Sequence, residues 1–298
     1  MLIHQHYEME LIQKQNELKS SARAIADELV VHSTTKYEGL RIHDCADRLT
    51  YDKDPFSSRI ITKGSFCRHR LCPICQWRRS CKYTAIFHKL FDNYPTLNGQ
   101  HWIYLTLTQQ NCHVTELRAA LERMSIGFQR LRRQAFWVQN VLGAVRFTEV
   151  THQASDIAYA HPHYHCLLMV RPSMSQGNNY VSIEAWQELW QRCLGVGYIP
   201  DVHATCIRPP QKLGYAAVRE NVINTVRYST KPVVGPISYD WLAAISRETR
   251  SLRKVELYGE LRNLRLQAGT GRNIQLGDIA DDIVLDEIFH IDEGDLPY

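Results

Sequence analysis

The run HPHYHCLLMV at 161–170 sets His161, His163 and His165 at every second position and leads straight into an apolar stretch. Extended backbone sends alternate side chains to opposite faces. The three histidines, Leu167 and Met169 therefore share one face, with Pro162, Tyr164, Cys166, Leu168 and Val170 on the other. Two imidazoles on one face stand about 7 Å apart along a strand and can converge on a single metal ion. A row of neutral core histidines is the alternative, and it demands a hydrogen-bond partner for every buried ring. This run thus requires a strand that carries either ligands or three costly buried polar groups.

The segment before it supplies a carboxylate. Gly143 to Thr151 reads as a strand with Val145, Phe147 and Glu149 on one face, and the polar stretch 152–160 reads as the loop that turns the chain back. Antiparallel pairing about a turn centre near 156 or 157 sets Glu149 across from His163 or His165, with the apolar residues of both strands on the same side. Two histidines and one carboxylate leave coordination positions open, as a catalytic metal requires. Such a site suits Mg2+ or Mn2+ with water and phosphate oxygens, and would equally accept zinc in a hydrolase.

Elsewhere the chain reads as a soluble α+β protein of 298 residues, long enough for a large domain with an appendage or for two domains. Residues 7–30 read as a helix of mixed charge and 36–83 as irregular, with a turn-rich loop at 52–58. HWIYLTLT at 101–108 alternates as a strand does. A helix follows, with Thr115 as its expected cap and Leu117, Leu121, Met124, Phe128, Leu131, Ala135 and Val138 at helical spacing. Its other face carries Arg118, Arg123, Arg130, Arg132 and Arg133. Further helices are expected from Ser182 to Cys193, ended by Gly195 and Gly197, from about 211 to 230, stopped by Pro232, and over 240–268. No stretch approaches the roughly 18 uninterrupted apolar residues of a membrane span, and the N-terminus lacks a signal peptide's apolar block. A cytoplasmic protein is therefore expected.

Charge is unevenly distributed. After Arg272 there is no Lys or Arg, while Asp278, Asp281, Asp282, Asp286, Glu287, Asp292, Glu293 and Asp295 supply eight acids; removing these from the net charge of +4 leaves +12 for the rest. A basic body suits a polyanionic partner.

The nine cysteines are odd in number, and Cys67, Cys72 and Cys75 crowd into nine residues, with Cys45 upstream and Cys81 downstream. Thiolates two residues apart around a tight turn can grip one tetrahedral Zn2+, to which nearby chain adds further ligands; a redox Cys-x-x-Cys motif would need a strand-to-helix setting this segment lacks. Around the cluster, Arg68, Arg70, Trp77, Arg78, Arg79 and Lys82 interleave bases with an aromatic, as DNA phosphate contact and base stacking require. Tyr228 and Lys231 lie three apart on one helix face, with Asn224 and Glu220 one and two turns before the tyrosine.

Taken in order, these segments resemble the plasmid-encoded rolling-circle replication initiators of the HUH endonuclease superfamily. WIYLTLT (102–108) is similar to that family's first motif. HPHYHCLLMV, with Glu149 in RFTEVTH ahead of it, is similar to the second, and VRYSTK (226–231) to the third. CRHRLCPICQWRRS (67–80) resembles a cysteine-rich segment that precedes the first motif in one branch. The likeness spans about 45 to 235.

The resemblance implies a central antiparallel sheet flanked by helices (an HUH/RRM-like core) with an N-terminal zinc-binding segment and a helical C-terminal extension. The expected divisions are 1–35 (N-terminal helix), 36–90 (zinc-binding segment), 91–235 (endonuclease core) and 236–298 (helical extension and acidic tail). It implies His163 and His165 as the metal pair beside Glu149, His161 as a neighbour, and Tyr228 as a nucleophile that nicks one strand at the plasmid double-strand origin, helped by Lys231. Cys45 would join Cys67, Cys72 and Cys75 on zinc, with Cys81 and His69 as competitors. Host helicase and polymerase are implied partners, no membrane is, and a homodimer is compatible. The branch commonly carries a glutamate four residues before the tyrosine; here that position is Asn224, and Glu220 is the candidate substitute. Two alternatives remain open at this stage: an HUH relaxase or transposase, and a zinc-ribbon DNA-binding regulator whose histidine strand is inert.

Overall fold

Leu18, Ala22, Ile25, Ala26 and Leu29 recur at helical spacing and all are buried, and they form the inner stripe of α1 (Leu2–Val30). This helix belongs to the first of two units into which the computed structural model divides. The structure describes residues 2–52, 60–153, 155–176, 180–207, 216–230, 232 and 238–268. The first unit comprises the described parts of Met1–Ile86 and Thr230–Tyr239, the second those of Phe87–Ser229 and Asp240–Gly271.

In the first unit, α2 (Lys36–His43) follows α1, and an antiparallel pair of strands, β1 (Leu49–Asp52) and β2 (Ile60–Gly64), leads to α3 (Pro73–Asn93). The expectation of irregular chain over 36–83 is therefore corrected. Cysteines and bases obscured a helical period from residue 73 on, and Pro73 opens α3 at a position whose missing N–H leaves nothing unpaired. Most of the turn expected at 52–58 lies outside the described residues.

The second unit takes the last turns of α3 and then β3 (His101–Thr108), β4 (Cys112–His113), α4 (Leu117–Arg132), α5 (Ala135–Asn140), β5 (Val141–Gln153) and β6 (Asp156–Val170). There follow α6 (Pro172–Gln176), α7 (Ile183–Leu194), β7 (Val202–Ile207), α8 (Ala216–Thr230), α9 (Tyr239–Glu248), β8 (Val255–Tyr258) and α10 (Gly259–Ala268). The fold is α+β: a six-stranded antiparallel sheet in the order β7-β3-β6-β5-β8, with β4 also paired to β6, flanked by helices.

The histidine strand β6 is central, so both its faces are covered from Pro162 onward. One face, through Tyr164, Cys166, Leu168 and Val170, joins Ile103, Leu105 and Leu107 of β3 in a core closed by Met124, Phe128 and Leu131 of α4 and Trp186 and Trp190 of α7. The other face carries the histidines. Ser182 caps α7 by accepting the Ala185 N–H at 3.2 Å, and Gly195 ends it in the left-handed region (φ 72°).

Several boundaries differ from expectation. Thr115 does not cap α4: its hydroxyl meets His113 Nδ1 at 2.7 Å within a 3-10 turn, Val114–Glu116. The helical period breaks after Arg132, so Ala135 and Val138 belong to α5, and Val138 is exposed. Strand pairing runs on to Gln153 and resumes at Asp156, which leaves no long loop at 152–160: Thr151 pairs with His161 and His152 with Ala160 in spite of their polarity. Neither β7 nor β8 was expected. The stretch 240–268 is not one helix, because VELY inserts a short strand on β5 and Gly259 (φ 57°) turns into α10 where a Cβ would collide with the Leu142 carbonyl.

Candidate functional site

Strand register assembles the first group of side chains. Glu149 on β5 lies opposite His163 on β6, and Phe147 opposite His165. On the far side of β6, Thr108 and Thr106 of β3 oppose the same two histidines. The Glu149 carboxylate, through Oε2, stands 2.8 Å from Nε2 of His163 and 2.8 Å from Nε2 of His165. Both imidazoles are buried. One ligand atom from each of the three residues falls within 4.8 Å of the others.

The donor chemistry fits a cation. His163 Nδ1–H donates to the His161 carbonyl at 3.2 Å, so a neutral ring turns the Nε2 lone pair toward a carboxylate oxygen. Two acceptors meet at that distance only with a positive charge between them. Burial alone would raise the Glu149 carboxyl, but hydrogen bonds from the two imidazoles hold it well below the usual carboxylate range. His163, His165 and Glu149 could hold a divalent ion through Nε2, Nε2 and a carboxylate oxygen. His161 does not join the group. Its Nδ1–H donates to Asn111 Oδ1 at 2.5 Å, and burial, then His163, lower its pKa.

Tyr228, on α8, brings its ring centroid within 6.4 Å of the His165 ring and is 45% exposed. Arg219 holds α8 against the last turns of α3 through Asp92 Oδ1 at 2.7 Å and His88 Nδ1 at 3.2 Å. Glu220 lies eight residues before Tyr228, about 12 Å of helical rise, and its charge acts on His88. The structure does not bring it to the tyrosine. Lys231 lies outside the described residues.

The second group is in the other unit. Sulfurs of Cys45, Cys67, Cys72 and Cys75 all lie within 4.8 Å of one another, and Cys75 Sγ stands 3.6 Å from Cys45 Sγ and 3.7 Å from Cys67 Sγ. Two backbone kinks shape this cluster. Ala46 (φ 64°) follows Cys45 and Arg68 (φ 57°) follows Cys67, and past the second kink the His69 N–H points at Cys67 Sγ, 3.4 Å away. Lys19 of α1 fixes the Cys45 loop by donating to the carbonyls of His43 and Cys45 at 2.8 and 2.7 Å. Hydrogen bonds from Cys45, Cys67 and Cys72 hold the Cys75 thiol well below its ordinary range, while Cys67 and Cys72 are pushed far up. Cys45 is lowered as well, by hydrogen bonds from Cys67 and Cys72, so the four thiols do not ionise together, and a cation at the centre would let all four do so. Cys81 is buried outside this group, and His69 Nε2 faces Glu38 at 3.4 Å.

The bases named beside the cluster differ in exposure. Arg68 is exposed, Arg70, Trp77, Arg78 and Arg79 are half-buried, and the Arg78 guanidinium sits 3.4 Å over the Phe66 ring. Lys82 is buried, which departs from the expectation of a surface phosphate contact. Sequence reasoning also missed Tyr104, whose hydroxyl lies 2.7 Å from His165 Nδ1, and Thr106, whose Oγ1 lies 3.3 Å from it. The signal was there in HWIYLTLT: its polar alternates must face the histidines once the strand pairs with β6.

A family model described as "Replication protein" matches residues 58–287. The chain is 34% identical over 196 residues to "Protein rep" of Streptococcus pneumoniae serotype 2, an alignment covering 65% of this chain and 60% of that protein. For "Protein rep" of Bacillus amyloliquefaciens the identity is 32% over 183 residues, covering 61% and 53%. For "Protein rep" of Lactiplantibacillus plantarum it is 30% over 235 residues, covering 78% and 69%. The chain thus spans 60% and 53% of the length of the first two relatives. No solved structure matches. Among the described residues no helix is long and apolar enough to cross a membrane. A family match over most of the chain, with the histidine–carboxylate group on its sheet, shows that the chain belongs to the replication protein family, that of the plasmid rolling-circle replication initiators.

Proposed function

We propose that this chain is a metal-dependent, site-specific DNA endonuclease and strand transferase that nicks and rejoins one strand of the plasmid double-strand origin. The observation that carries this reading is the convergence of Glu149, His163 and His165 on one point, with the Tyr228 ring 6.4 Å from that of His165. A phenol with an ordinary pKa near 10 is only about 0.1% ionised at pH 7, so attack on a phosphodiester needs help. A bound Mg2+ or Mn2+ would polarise the scissile phosphate and neutralise its developing charge.

The chain's own residues do the rest. Glu149, His163 and His165 would hold the ion. The Tyr228 oxygen gives up its proton and forms a bond to phosphorus, the bond from phosphorus to the 3′ oxygen breaks, and the 3′ oxygen takes a proton. The 5′ end stays joined to Tyr228, and the free 3′ hydroxyl primes host polymerase while a host helicase unwinds. Lys231 would stabilise the phenolate or the phosphate charge. Because the phosphoester is retained, rejoining by reversal requires no nucleotide.

In this reading Cys45, Cys67, Cys72 and Cys75 bind a structural Zn2+, and Arg68, Arg70, Trp77, Arg78 and Arg79 contact origin DNA. Replication would end when water attacks the phosphorus of the adduct and the Tyr228 oxygen leaves. Glu220, about 12 Å of helical rise away, could serve as the base for that water only if bound DNA brings the phosphate toward it. The Glu220→Gln variant tests this: retention of the adduct supports the role, and normal hydrolysis removes it. Incubation with Mn2+ and single-stranded origin DNA tests the whole. A nick by the wild type and none by Tyr228→Phe is expected; equal nicking by both rejects the reading.

A further inference from the structure

A histidine that ligates through Nε2 must carry its proton on Nδ1, and something must keep it there. For His163 this is settled by an acceptor-only group, the His161 carbonyl. At His165 the geometry at Nδ1 is different. That nitrogen meets the Tyr104 hydroxyl at 2.7 Å and, less closely, Thr106 Oγ1 at 3.3 Å.

Tyr104 is built for this contact. Its strand pairs with β6 so that Tyr104 opposes Leu167, one step along the histidine face, and its ring lies nearly parallel to that of His165 (11°, centroids 5.6 Å apart). Stacking limits rotation of the imidazole, and the hydrogen bond fixes what remains. The Tyr104 hydroxyl can accept from Nδ1–H and still has its own proton to donate.

We propose that Tyr104 is a positioning residue: its hydroxyl holds His165 as the Nδ1–H tautomer, with Nε2 turned to Glu149 and free to bind a divalent ion. The proposal rests on the metal-dependent reading above. It concerns binding, so its test does not depend on nicking.

The Mn2+ affinity of the full chain, followed by the paramagnetic resonance of free Mn2+, is compared for wild type, Tyr104→Phe and the double variant Tyr104→Phe/Thr106→Val. Phenylalanine keeps the stack and removes only the oxygen. Affinity is expected to fall by about 10- to 100-fold in Tyr104→Phe, as loss of an outer-shell partner does, and no less in the double variant. The melting temperature should not change. The 15N spectrum of His165 in the Mg2+-loaded protein supplies a signature packing alone would not move: Nδ1 protonated in wild type, and mixed tautomers in Tyr104→Phe. Wild-type Mn2+ binding matched within about twofold by both variants overturns the proposal. So does an unprotonated Nδ1 in Mg2+-loaded wild type, a result that stands even if a variant folds poorly. Failure of the wild type to bind Mn2+ overturns the metal-dependent reading itself, and this inference with it.

Discussion

Arg146 offers the sharpest test of how the sheet is held together behind the site. It sits on β5 between Val145 and Phe147, so its side chain leaves the face that carries Glu149 and enters the core on the other side. There its guanidinium pairs with Glu256 of β8 and lies over the rings of Tyr164 (4.3 Å) and Phe128 (5.0 Å). Glu256 also accepts the Tyr258 hydroxyl at 3.0 Å. Glu256→Ala would leave a guanidinium, 5% exposed, with aromatic faces but no anion. Breaking a buried pair from one side costs about 3–5 kcal/mol. Glu256 is 24% exposed, so water can reach part of the vacated site, and about 2–3 kcal/mol is the expected loss. For a unit of this size that lowers the melting temperature by roughly 4–12 °C. The double variant Arg146→Met/Glu256→Leu replaces both charges with apolar groups and should recover to within about 1 kcal/mol of wild type. Chemical denaturation of the three proteins gives the numbers. A Glu256→Ala loss below about 0.5 kcal/mol, or a double variant less stable than the single, would refute the reasoning. Mn2+ affinity should be untouched throughout, because Arg146 and Glu149 point to opposite faces.

Other consequences are open to measurement. Gly259→Ala puts a Cβ against the Leu142 carbonyl at φ 57°, so it should destabilise by about 1–3 kcal/mol in the same denaturation assay, and a neutral result would remove the strain at this turn. Burial pushes Tyr164 up to about 12 from 10.0 and Cys166 up to about 12 from 9.0. The folded chain keeps protons that the unfolded chain releases, so this stability is full below about pH 9 and lost as pH rises toward 12; denaturation midpoints flat from pH 8 to 11 would contradict it. If the four clustered cysteines hold zinc, Cys75→Ser should lose the single bound Zn2+ measured by elemental analysis, while Cys81→Ser keeps it. Loss of zinc in Cys81→Ser alone would exchange the two residues' roles.

Much of the site was legible because it rests on local alternation. HPHYHCLLMV and RFTEV have one strand period, and a hairpin brings Glu149 to the histidines whichever of the two registers forms. Thiol spacing was equally readable, because Cys67, Cys72 and Cys75 lie so close in sequence. Cys45 arrives only through the packing of α1 and α2 and the Lys19 contacts to its loop, which no spacing announces. Strands β7 and β8 were hidden for a similar reason. VELY is four residues long, and VHATCI gains its partners only when β3 offers a free edge. The irregular reading of 36–83 failed because ligand spacing was read in place of a helical period. Tyr104 was visible as a polar alternate, but its role depends on pairing with a strand about sixty residues away.

The central claim is that Tyr228 is the nucleophile beside a metal held by Glu149, His163 and His165. Mass spectrometry of the chain after reaction with Mn2+ and origin single strands tests it most directly, because it reads the residue and the DNA end together. The account predicts one adduct, on the peptide containing Tyr228, joined to a 5′ phosphate and absent from Glu149→Ala. A nick without any protein–DNA adduct, or an adduct on another residue, would contradict it.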